Sequence, residues 1–66
     1  METFKDTAQR LMKEAGLSYH QTGVRMGIPE NVARQVVWRF INGTNPSVAM
    51  VVKFANAVGA DVEELL

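Results

Sequence analysis

The sequence predicts an all-α fold, a compact bundle of five short helices, and three observations carry that prediction. Apolar residues recur at spacings of three and four along most of the 66 residues, the period of a helix with one buried face. Thr3, Ser18, Ser47 and Asp61 each stand just ahead of such a stretch, where a side-chain oxygen can satisfy free N–H groups of a first turn. Gly16, Gly27 and Gly59 fall at the ends of stretches, where a left-handed turn ends a helix at little steric cost.

The first helix runs from Thr3 to Ala15. Phe4, Ala8, Leu11, Met12 and Ala15 form its apolar stripe, so Phe4, Leu11 and Ala15 are expected inside and Lys5, Gln9 and Lys13 outside. Thr3 with Asp6 three places on is close to a capping box. Ser18 opens a short second helix, Tyr19 to about Met26, with Thr22, Gly23 and Met26 along one side. Gly23 costs about 1 kcal/mol relative to alanine inside a helix. Close approach of the next helix is the physical reason for it. Gly27 makes the turn and Ile28 plugs it from the apolar side.

The third helix opens after Ile28, with Pro29 in its first turn, where a missing N–H costs little. Ala33, Val36, Val37 and Phe40 make its inner stripe. Asn31, Arg34, Gln35, Trp38 and Asn42 fall on the far side and Arg39 on the flank. Asn42-Gly43-Thr44-Asn45-Pro46 reads as a loop. Ser47 caps a fourth helix to about Val58, with Val48, Val51, Val52, Ala55 and Val58 inward and Met50 and Phe54 widening the stripe. The β-branched run Val48–Val52 also suits a buried strand, but the length of the periodic stretch and the lack of a partner strand decide for helix. Gly59 ends it, and Asp61 caps a last turn, Val62–Leu66.

Sixty-six residues make one domain, 1–66, with a small core. At 47% hydrophobic residues the chain is not disordered, and without cysteine it has neither disulfides nor a zinc–thiolate site. The N-terminus mixes charges and precedes no long apolar run, and no stretch approaches a membrane span, so a soluble, cytoplasmic protein is expected. The net charge is zero but unevenly placed. Residues 1–14 cancel, with Glu2, Asp6 and Glu14 against Lys5, Arg10 and Lys13. Residues 15–60 set Arg25, Arg34, Arg39 and Lys53 against Glu30, and residues 61–66 carry Asp61, Glu63 and Glu64. Either this is chance among few charges, or the molecule has a basic side able to meet phosphate.

Residues 19–42 are the functional centre of this reading. Two helices joined at Gly27, the second carrying polar groups away from its apolar stripe, are how a helix-turn-helix presents side chains to the DNA major groove. The order Lys13-Glu14-Ala15-Gly16-Leu17-Ser18, Gly23, Gly27-Ile28, Asn45-Pro46-Ser47, Phe54-Ala55-Asn56-Ala57-Val58-Gly59 and Asp61-Val62-Glu63-Glu64-Leu65 resembles the lambda-repressor-like, Xre/Cro-type helix-turn-helix domain over nearly the whole chain. The resemblance implies a sequence-specific transcriptional regulator, most simply a repressor, binding double-stranded DNA as a homodimer. It implies base contacts from Pro29, Glu30, Asn31, Arg34 and Gln35, and phosphate contacts from Tyr19, His20 and Gln21. The chain departs from the family pattern in two places. Thr22–Gly23 stands for the usual Leu–Ala pair, and the recognition helix gains about one turn, Val37–Asn42.

The chemistry of these residues fits. Arginine bonds guanine bidentately and glutamine bonds adenine, which suits Arg34 and Gln35. Polar residues on a merely solvated face would look the same. Glu30 suits either cytosine N4 or the positive helix end. Arg25 and Arg39 are candidate phosphate clamps, or partners of Glu30. Trp38 and Asn42, on the added turn, lie either along the DNA backbone or at a subunit contact, and Trp38 has the further choice of capping the core edge. Val62, Leu65 and Leu66 either finish the core or form a dimer seam. The alternative from another class is an antitoxin- or adaptor-like protein-interaction module presenting Trp38, Ile41 and the C-terminal leucines. No catalytic constellation, metal site, cofactor motif or small-molecule pocket is expected.

Overall fold

In a computed structural model that describes residues 3–43 and 46–65, the chain folds into α1 (Phe4–Ala15), α2 (Tyr19–Arg25), α3 (Glu30–Asn42) and α4 (Val48–Val58), followed by a 3-10 turn at Val62–Glu64. No strand occurs among the described residues. The expected fifth helix is thus only a three-residue 3-10 turn, too short for an α-helical ladder. Thr44, Asn45 and Leu66, which the sequence reading placed in the loop and the last turn, lie outside the described residues.

Local chemistry explains the helix ends. The Thr3 N–H donates to Asp6 Oδ2 at 3.4 Å and the Asp6 N–H returns to Thr3 Oγ1 at 3.2 Å, a full capping box. Ser18 and Gln21 make a second one, at 3.0 and 3.1 Å. Ser47 Oγ accepts from the Met50 N–H at 3.2 Å. Gly16 and Gly59 end α1 and α4 at φ 70° and 72°. Pro29 is the N-cap of α3 rather than a first-turn residue. Its ψ of 140° is extended, and its side chain offers no capping bond.

The core is tied together by a row of rings. Phe4 meets Phe40 edge-on at 5.4 Å and Phe40 meets Phe54 at 5.5 Å, linking α1, α3 and α4 through Phe40. Ala8, Leu11, Met12, Met26, Val37, Ile41, Val51, Ala55 and Leu65 pack around that row. Thr7 and Thr22 are also buried. Thr22 manages this because its hydroxyl donates to the Ser18 carbonyl at 2.8 Å, leaving no buried polar side-chain atom without a partner among the described residues.

Several expectations about burial are corrected, and Val36 and Val58, placed on the inner stripes of α3 and α4, are only half-buried. Ala15 is exposed: the chain reverses at Gly16, the Leu17 N–H bonds the Met12 carbonyl at 3.0 Å, and half-buried Leu17 closes that end of α1 instead. Val48 is 73% exposed and Val52 is exposed too. Val52 lies nearly opposite Phe54 on α4, whereas Val48 shares the stripe of Val51 and Ala55 but is the first residue of the helix and falls outside the core cluster. Ile41 is buried at 1% exposure, because it lies only about 80° around the helix from Ala33, beside Val37. Phe4 is half-buried rather than fully inside.

Candidate nucleic-acid interface

Among the described residues the most extensive helix pairing is α2 on α3, and Gly23 lets the two backbones come close. A Cβ at Gly23 would sit 2.6 Å from Ala33 Cβ and 2.8 Å from the Ala33 carbonyl oxygen, distances that no side chain tolerates. The turn between the helices needs Gly27 at φ 85°, where an L-residue is strained. The Ile28 N–H returns to the Gly23 carbonyl at 3.0 Å, and Ile28 packs partly buried against the core. These contacts fix how α3 lies on the rest of the chain, and so which of its side chains face out.

Five side chains at i, i+3, i+4, i+7 and i+8 do so together. Asn31, Arg34, Gln35, Trp38 and Arg39 line one open concavity of about 490 Å³, all of them exposed. Two guanidinium groups, two carboxamides and an indole thus share one surface. None of the five side chains makes a hydrogen bond or ion pair with another described residue, and the described ion pair is Arg10 with Glu14 at 3.2 Å, on α1. Donors for carboxylate, phosphate or base edges are therefore unengaged.

A second concavity, of about 290 Å³, is lined by Leu17, His20, Gln21, Val24, Arg25 and Glu30. It brings the first helix of the pair and the start of α3 to one surface. Arg25 makes no ion pair with Glu30 or any other described residue. Gln21 is half committed: its carbonyl oxygen holds the Ser18 N–H, while its amide nitrogen stays unpaired.

The remaining sequence candidates stand apart. Half-buried Tyr19 packs against the core and its hydroxyl accepts from Gln9 Nε2 at 3.3 Å. It lines a different hollow with Gln9, Met12, Leu17 and Ser18. Asn42 donates its amide to the Trp38 carbonyl at 3.0 Å, closing the last turn of α3. Pro29 is exposed at the N-cap and lines neither concavity. The capping role of Gln21 was missed in sequence, although Ser18 with a glutamine three places on is its signature. Ile41 and Leu65 are buried, so a protein-docking surface built from them with Trp38 does not exist in this fold. Leu65 finishes the core rather than forming a seam.

Among the described residues no group of His, Cys, Asp or Glu is arranged to hold a metal ion, and no helix is long and apolar enough to cross a membrane. In comparisons with known proteins, the chain matches no family model, no curated protein and no solved structure.

Proposed function

We propose that the protein is a sequence-specific double-stranded-DNA-binding regulator of transcription, a repressor, in which α2 and α3 act as a helix-turn-helix. The observation that carries this reading is the unengaged row Asn31, Arg34, Gln35, Trp38 and Arg39 on the outer side of α3. An α-helix with side chains is about 10–12 Å across, and the B-DNA major groove is about 12 Å wide, so such a row can enter it. Asn31, Arg34 and Gln35 then meet base edges, with Pro29 and Glu30 at the same end of the helix. His20, Gln21, Arg25 and Arg39 flank them as phosphate contacts. Tyr19 and Asn42 are the weakest candidates, since both already serve intramolecular bonds. The resemblance to lambda-repressor-like domains supports the same reading and adds a homodimer, with two α3 helices about 34 Å apart on a palindromic site.

Titration against random duplex DNA at low and moderate salt tests the proposal. The expected result is binding that weakens steeply as salt rises, because arginine–phosphate contacts release counterions. Absence of binding at low salt, at high protein concentration, overturns it.

A further inference from the structure

Trp38 is the one group in the row whose exposure runs against its chemistry. It is 54% exposed, and a solvated indole leaves a large apolar area in water. The core forbids the alternative. Ala33 and Phe40 are buried on the far side of α3 from the indole, with Ile41 buried at the margin between the two sides, and turning the helix to cover the indole would bring Ala33 and Phe40 into water. The Asn42 amide on the Trp38 carbonyl keeps this last turn helical, so the indole shares one helix axis with Asn31 and Arg34. Seven residues separate Asn31 from Trp38, which is roughly 10.5 Å along a helix and about three base-pair steps of B-DNA.

The neighbours of the indole select its partner. Arg34 and Arg39 line the same concavity without an ion-pair partner among the described residues. An apolar protein surface laid on Trp38 would bury two guanidinium groups unpaired, which is costly, whereas duplex DNA offers them phosphates. Within the major groove, thymine alone presents an apolar group, its C5 methyl. An indole face offers dispersion and little else, with a single N–H at its edge.

We infer that Trp38 is a specificity-determining residue whose indole packs on a thymine methyl, about three base pairs along the groove from the base met by Asn31. This inference rests on the DNA-binding reading above. It assigns the added turn of α3 to base recognition rather than to the DNA backbone or a subunit contact.

The test starts from duplexes selected out of a random pool by the full chain at low salt. Each thymine of a selected site is replaced in turn by deoxyuridine, which removes only the methyl, and affinity is read from the anisotropy of labelled DNA. Wild-type protein is expected to lose about fourfold in affinity at one thymine per half-site, the worth of one buried methyl-sized group. Trp38→Ala is expected to bind that site more weakly and to show no further loss on the same replacement. Trp38→Gln takes its place should the alanine variant not fold by circular dichroism. Selected sites without a thymine, no sensitive position, or a position equally sensitive in both proteins overturns the assignment and leaves DNA binding standing. Failure of the wild-type chain to select any duplex overturns both.

Discussion

The two sides of α3 obey different rules. The inner side, Ala33, Val37, Phe40 and Ile41, is buried, with Val36 half-buried at its edge, and all four belong to the packed interior. The outer side, Asn31, Arg34, Gln35, Trp38 and Arg39, touches nothing that claims its hydrogen bonds. Stability is written on one side and the proposed recognition surface lies on the other, in a helix of thirteen residues. The inner side also governs the outer one, because its packing decides which way every outer side chain points.

Substitutions can break that division of labour. The largest expected effect is from Ile41→Ala, which empties a fully enclosed site and should cost about 2–5 kcal/mol in urea unfolding. A value near zero would mean that the added turn of α3 is not packed as described. Gly23→Ala should cost about 1–3 kcal/mol through overpacking, outweighing the roughly 1 kcal/mol that alanine gains as a helix former. On the outer side the same assay should report almost nothing, while binding changes. Arg34→Ala should relax preference at one base pair by about 1–3 kcal/mol, measured on a panel of single-position site variants. Arg39→Ala should weaken all sequences alike and flatten the salt dependence by about one unit of slope. The smallest effect is the stability of Trp38→Ala, expected within about 0.5 kcal/mol of wild type. A larger loss would place the indole with the core.

Much of the inner side was legible in sequence. Residues at helical spacing and the polar groups before them placed α1 to α4 within a residue or two, because local hydrogen bonding and periodicity are properties of short segments. Gly23 announced a close helix contact before Ala33 was known to be the neighbour. Valine-rich α4 was harder. Its periodicity admits several phases, and the contact of Phe54 with Phe40, between segments distant in the chain, chooses the one that turns Val52 outward. Ile41 was missed for a related reason, since a stripe anchored on Ala33 and Val36 hid the drift toward Val37. Of the residues placed on the far side of α3, Asn31, Arg34, Gln35 and Trp38 are exposed and Asn42 is half-buried. Their gathering into one concavity, and the separation of Tyr19 and Asn42 from it, required three-dimensional placement.

The contact between Gly23 and Ala33 also limits how this chain can diverge. Three atoms stand within 3 Å of where a first side-chain carbon would go: the Ala33 methyl, its carbonyl oxygen and its carbonyl carbon. Trimming Ala33 to glycine removes only the methyl; the peptide stays. A compensating mutation at the facing position therefore cannot restore room, and a lineage that gains any side chain at position 23 must lift α3 bodily from α2. Under the DNA-binding proposal its outer row would then sit at a different height above the groove, so a change at this buried glycine should appear in descendants together with a changed target site.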